Sequence, residues 1–309
     1  MKLRAYILMT LVVAVWGSTF VVIKGALADA TPAAFNLIRM TLAFVLLAVG
    51  YHRAWRTIKR TQIAAGALVG LCLAAGYQFQ TIGLVRTTPS KSAFITGLVV
   101  VLVPLFSIAP AVRPPGARAP RWNAFLGAAL AFLGIVLITA PPAVGASGSI
   151  ARFLPDFTSI NFGDLLTLGC SISFAFHCIA LGHTSPRIPF QPLAILQVGF
   201  CALFMALSLP IIEHPQVHLS RQLVFALIVA AALATAAAFS IQSWAQSILP
   251  ATPMALILAL EPVFAWITSF VVTGERLGMV PAIGAILILI GIAVTELLPQ
   301  PHVPTAHEA

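Results

Sequence analysis

The chain has 309 residues, 60% of them hydrophobic and only 8% charged, with a formal net charge of +9. Soluble domains carry about 25% charged residues, so this composition excludes a water-soluble globular protein and defines a polytopic membrane protein. The basic excess fits membrane topology, and no basic run interleaved with aromatics appears, which argues against nucleic-acid binding.

A span needs about 20 apolar residues. Apolar runs between charged or Pro/Gly punctuation predict ten helices, over 5–28, 33–51, 62–85, 90–112, 122–140, 163–183, 191–212, 221–247, 253–273 and 279–298. The first run opens like a signal peptide, but its apolar stretch continues to Ala28 without a small-residue cleavage pattern, so it reads as the first span. Residues 1–145 form a first five-helix unit, 146–162 a Gly/Pro/Ser-rich linker, 163–298 a second unit, and 299–309 a disordered cytoplasmic tail. Lys and Arg cluster in the loops on the N-terminal side of the first half, which predicts both termini in the cytoplasm and an inner (plasma) membrane location.

On the first span, Trp16, Thr19, Phe20 and Lys24 share one helical face. Lys24 is expected to snorkel to the interface, and Arg39 on the second span to act as a structural charge with Asp29 as the near partner. On the third span Tyr77, Gln80 and Thr81 share a face; on the sixth, Ser173 and His177; on the eighth, Phe239, Gln242, Ser243 and Gln246. Such a face can line a cavity or glue helices together. For Gln80 and Gln242 we expect the cavity, with Trp16, Tyr77 and His177 beside them; glue suffices for Thr19, Thr81 and Ser243. Asp164 suits a helix start, and Glu275–Arg276 reads as a loop ion pair. The four cysteines lie inside apolar runs, with neither disulfide nor metal spacing.

The ninth span places Glu261 before Pro262 near its middle. A carboxylate at bilayer depth marks function or a specific partner, so Glu261 is expected at the same pocket, either holding the ninth helix or exchanging a proton. Pro262 lacks a backbone donor, so the carbonyl of Leu258 loses its helical partner and the helix should break. Pro104 in the fourth span is the matching hinge candidate, and Val99 aligns with Glu261, so the first half has no matching acid.

Internal repetition organises the whole chain. GAALAFLGIVL (127–137) matches GAILILIGIAV (284–294) at a shift of 157, and a shift of 162 lays Tyr77 and Gln80 on Phe239 and Gln242. Arg39 falls on Gln197 at a shift of 158. Five is odd, so the second copy enters the membrane from the opposite side, an inverted repeat with its site near the midplane. The pairs Gly127/Gly134 and Gly284/Gly291 suit close helix packing, and a homodimer is one use for them. There is no HExxH, GxSxG or Walker loop, so neither an enzyme nor an ATP-driven pump is expected, and no cofactor.

Trp16–Phe20 with Lys24, Arg39, the run TTPSKSAFITGLVVVLVPL (87–105), GDLLTLGCSISFAFHCIAL (163–181) and ALILALEPVFAWITSFVVTGERL (255–277) together resemble the EamA-type drug/metabolite transporters. That resemblance implies ten helices in two inverted five-helix halves and secondary transport of small metabolites such as amino acids, often outward. It makes Trp16, Lys24, Arg39, Glu261 and Pro262 family-typical positions. The first span lacks the membrane glutamate of small multidrug pumps, which argues against that device. The resulting expectation is an exporter working by alternating access, with a small-molecule solute and the lipid bilayer as partners. A channel-like protein or a membrane helper subunit is the alternative, and an intramembrane enzyme a remote one.

Overall fold

A computed structural model describes residues 1–114, 119–139, 161–274 and 279–297. Linker residues 146–160, the tail and Glu275–Arg276 lie outside the described residues. Every long element is helical, and the ten predicted runs all return as helices or helix pairs. They are α1 (Lys2–Ala26), α2 (Pro32–Gly50), α3 (Arg60–Arg86), the half-helices α4 (Pro89–Thr96) and α5 (Val99–Phe106), and α6 (Trp122–Thr139). The second copy follows as α7 (Phe162–Thr184), α8 (Phe190–Ile212), α9 (Arg221–Ile228) running through a π-helical stretch (Val229–Ala237) into α10 (Ala238–Gln246), the half-helices α11 (Ala251–Leu258) and α12 (Glu261–Thr273), and α13 (Met279–Leu297). Seven of these spans are long and apolar enough to cross a bilayer, and three shorter apolar helices complete the set. The protein is an all-α, multi-pass membrane protein.

Local chemistry sets the ends of these helices. Pro32 and Pro89 occupy first-turn positions, where a missing N–H costs nothing. Asn161 and Asp164 form a reciprocal capping box at the start of α7 (Asp164 N to Asn161 Oδ1 3.1 Å, Asn161 N to Asp164 Oδ2 2.8 Å). Asp164 also takes a salt bridge from Lys91 at 2.7 Å and a hydrogen bond from Thr87 at 2.7 Å, tying α7 to the start of α4. The capping role read from sequence is therefore only part of its job.

The copies interleave. Long α3 packs chiefly on α7 and α8 of the second copy, α1 on α12, and α6 on α13. The last pair explains the glycines: a Cβ on Gly291 would sit 2.5 Å from the carbonyl oxygen of Gly127, and Gly134 meets Gly284 in the same way. Close helix approach without a hydrophobic driving force needs small residues at the contact. These four glycines thus seal the two copies within one chain.

Both fourth helices of the repeat are broken at the same place. One interruption falls at Gly97 and Leu98, the other at Ala259 and Leu260, and a shift of 162 superposes them. Pro262 sits at the first turn of α12, just past its break, as its missing donor requires. Pro104 does not mark a break; it lies inside α5, beyond the interruption. Gly97, the poorest helix former in its run apart from proline, supplies that one instead.

Candidate functional site

The two interruptions face each other across a cavity in the middle of the bundle. Non-helical backbone is tolerated at membrane depth only where protein buries it or a cavity receives it. Thr96, Gly97 and Val99 line the cavity from the first break, and Leu258 and Glu261 from the second. Gln80 and Gln242 line it from α3 and α10, and Trp16, Tyr77, His177 and Arg39 complete its polar wall. Its atom-free volume is about 720 Å³, counting the open space at its mouth. All six residues expected to line a pocket (Trp16, Tyr77, Gln80, His177, Gln242 and Glu261) come together here. Thr19 and Thr81, expected as glue, line it too, and Thr81 also donates to Asn36 Oδ1 at 3.0 Å.

Arg39 is the cavity's fixed cation, and only 1% of it is exposed. Asp29 is not its partner. Asp29 Oδ2 accepts from Ser220 Oγ at 2.5 Å and its backbone oxygen from His218 N at 2.7 Å, so it clasps the loop before α9 instead. Arg39 Nε donates to Thr235 Oγ1 (2.8 Å), and Nη2 donates to Tyr77 Oη (3.0 Å) and the carbonyl of Ala234 (3.2 Å). The guanidinium also lies 4.2 Å over the Tyr77 ring. Its Nη1 makes no hydrogen bond among the described residues.

The π-helical stretch makes this possible. Its wider turn breaks the regular ladder, and π segments recur at functional sites for that reason. The Ala234 carbonyl accepts from Arg39 and also from Trp16 Nε1 at 2.7 Å, while Thr235 Oγ1 donates to Ala230 O at 2.7 Å. One segment of the second copy thereby holds two cavity residues of the first.

Lys24 is tied to the end of α3. Its Nζ donates to the carbonyls of Leu84 (2.6 Å), Val85 (3.0 Å) and Thr87 (3.1 Å), capping the C-terminal end of α3 with positive charge. His177 Nε2 lies 2.9 Å from Gln197 Oε1, and Gln197 donates to Ser243 at 2.8 Å, so a network within the second copy fixes the imidazole. Gln242 donates to Gln246 Oε1 at 3.2 Å, but its own Oε1 is buried without a partner among the described residues. Gln80 donates to Thr96 at a long 3.5 Å. Aromatic edges close the space: Phe239 lies 5.5 Å from Trp16, 6.1 Å from Tyr77 and 5.6 Å from His177, and Phe174 lies 5.3 Å from Tyr77.

Glu261 opens α12 and is half-buried. Among the described residues its carboxylate has no hydrogen bond and no ion pair. α1 crosses its backbone closely, since a Cβ on Gly17 would stand 2.6 Å from the Glu261 carbonyl oxygen. Sequence reasoning missed Asn36, Thr96 and Thr235. Asn36 lies one turn before Arg39 and was findable by spacing; Thr235 sits in an alanine run with no signal.

This is the architecture of a membrane carrier: an inverted repeat, broken helices and a polar cavity at their crossing. The EamA-like transporter family profile matches residues 3–140 and 161–297, and the chain belongs to that family. It is similar to two proteins of Archaeoglobus fulgidus, each named "Uncharacterized transporter". One is 29% identical over 96% of this chain and 87% of its own length. The other is 25% identical over 96% and 98% respectively. A solved structure titled "Crystal structure of protein" shares the fold, with a TM-score of 0.73 at 20% identity, covering 96% of this chain and 98% of that one.

Proposed function

We propose that this chain is a secondary transporter that exports small amino-acid-like metabolites by alternating access. The observation that carries the substrate class is the presence in one cavity of an Arg39 guanidinium amine and a Glu261 carboxylate that have no hydrogen-bond partner among the described residues. A zwitterion satisfies both: its carboxylate meets Arg39 and its ammonium meets Glu261. Gln80 and Gln242 offer amide contacts, and the aromatic walls exclude water from the pair. The export direction and the inner-membrane location with both termini cytoplasmic follow the family resemblance and the Lys/Arg bias of the loops.

The moving parts we infer are not the two repeats as blocks, because their helices interleave. The half-helices pivot at Gly97–Leu98 and Ala259–Leu260, with Pro262 keeping the second break open. Residues 1–145 and 163–298 serve as the two structural copies around the site.

The test is metabolite export. Cells overexpressing the chain are compared with cells expressing Glu261→Ala at matched membrane levels, and solutes in the medium are profiled. An amino-acid-like solute enriched outside only with the intact chain is the expected result. Saturable counterflow of that solute in proteoliposomes separates a carrier from a channel or a helper subunit. Equal export by both forms overturns the assignment of Glu261 to the substrate site.

A further inference from the structure

A second, wider opening lies far from the central cavity, where α2 ends and α3 begins. A short 3-10 helix (His52–Thr57) bridges the two and folds its Trp55 back against α2, with the Trp55 indole donating to the carbonyl of Ala48 at 3.2 Å. Trp55, Ile58 and Ile63 then form one wall of a groove whose other walls are Phe44 of α2 and Gly199 and Phe200 of α8. The groove has about 820 Å³ of atom-free space, counting the open space at its mouth, and is similar in volume to the central cavity. Gly199 makes room for it: a Cβ there would stand 2.8 Å from the Phe44 ring. The neighbouring surface is the apolar belt of α2 and α8, with Val45, Leu46 and Leu203 about half exposed, so the groove opens toward acyl chains.

The same segment is strongly basic. Arg53, Arg56, Lys59 and Arg60 are all exposed, and none forms an ion pair among the described residues. The sequence holds no Asp or Glu between Asp29 and Asp156, so no local acid neutralises them. Loop charge of this kind is explained by topology alone; an apolar groove directly beneath it is not. Arg56 and Lys59 each adjoin a groove-lining residue, Trp55 and Ile58. A ligand with an anionic head and an apolar tail matches both features at once.

We propose that this groove binds an anionic glycerophospholipid of the surrounding bilayer, its phosphate on the Arg53–Arg60 cluster and one acyl chain between α2 and α8. The lipid staples the α2–α3 corner to α8 and so joins the two copies at this end of the bundle. The site is independent of the transported solute.

Native mass spectrometry of the purified full-length chain tests this, with phosphatidylglycerol and phosphatidylcholine of identical acyl chains as probes. The intact protein should retain phosphatidylglycerol at about tenfold lower lipid concentration than phosphatidylcholine. Arg53→Gln/Arg56→Gln/Lys59→Gln/Arg60→Gln should erase that preference. Leu203→Trp keeps all four charges and fills the groove from a half-exposed lining position, so it folds normally and should lower phosphatidylglycerol retention. Equal retention of the two lipids by the intact protein overturns the proposal. So does a preference that survives the quadruple change. Retention unmoved by Leu203→Trp also overturns it, because the cluster would then attract headgroups without any groove.

Discussion

The two copies of the five-helix unit share their architecture and divide the chemistry between them. What holds the fold together is repeated: the interruptions superpose at a shift of 162, the sealing glycines at 157, and Gln80 and Gln242 reach the same cavity from equivalent helices. What gives the cavity its charge is not repeated. Arg39 of the first copy stands where the second has Gln197, and Glu261 of the second stands where the first has Val99. Arg39 reaches across to Thr235 and Ala234, whereas Gln197 stays with His177 and Ser243 of its own copy. Pseudo-symmetry supplies a cavity between equal halves, and only the departures from it give that cavity a cationic and an acidic side.

Erasing the larger departure should have the largest effect. Arg39→Gln gives the first copy the residue of the second and removes the contacts to Thr235, Tyr77 and the Ala234 carbonyl. Hydrogen bonds to charged groups contribute about 1.5–3 kcal/mol each, so the variant should lose about 3 kcal/mol or more. Thermal unfolding in detergent should show a clear fall in midpoint, and transport in proteoliposomes should be lost. A variant that melts with the parent would mean that Arg39 serves the solute alone.

Glu261→Gln probes the other departure and should separate stability from function. The carboxylate holds nothing in the described structure, so removing its charge should leave the melting temperature unchanged or slightly raised. Transport should still fall by about tenfold or more, the scale of one lost charge-assisted contact to the solute. A drop in melting temperature like that of Arg39→Gln would make Glu261 a structural residue. Adding Val99→Glu to this variant asks whether an acid at the symmetric position restores uptake or counterflow.

The breaks themselves can be tested next. Gly97→Ala raises helix propensity by about 1 kcal/mol at the first interruption. It should favour one straight helix over the broken one, leave folding intact or improved, and slow transport several-fold. Pro262→Ala makes the corresponding change in the second copy by restoring a backbone donor. Similar losses from both would mean that the two breaks move together. A loss from Pro262→Ala alone would confine the motion to the helix that carries Glu261.

The legible part of this molecule was the part encoded locally. Apolar runs, a glutamate in lipid beside a proline, and polar faces at helical spacing put Trp16, Tyr77, Gln80, His177, Gln242 and Glu261 at one site before any fold was known. Partners distant in sequence were not legible. Arg39 meets Thr235 and Lys24 meets the end of α3, and no spacing rule connects such positions; nearness along the chain suggested Asp29 for Arg39 instead. Pro104 was conspicuous and Gly97 was not, yet the helix continues through Pro104 inside α5 while the break falls at the glycine before it. The π-helical stretch lies in VAAALATAA, an alanine-rich run whose composition suits an ordinary helix, so nothing in it signals the wider turn.

That stretch supports the smallest of the expected effects. Trp16→Phe keeps the ring against Phe239 but removes the Nε1 donor from the Ala234 carbonyl. The carbonyl is not orphaned, since Arg39 Nη2 still donates to it at 3.2 Å. The loss should therefore be that of one ordinary hydrogen bond, about 1 kcal/mol, and a correspondingly small fall in melting temperature. In the double variant with Arg39→Gln the same carbonyl loses both donors, and the combined loss should exceed the sum of the single losses, because a buried acceptor without any partner carries its full desolvation penalty. Strict additivity would mean that the wider turn finds its own partner for Ala234 and that Trp16 and Arg39 are held by packing rather than by the carbonyl they share.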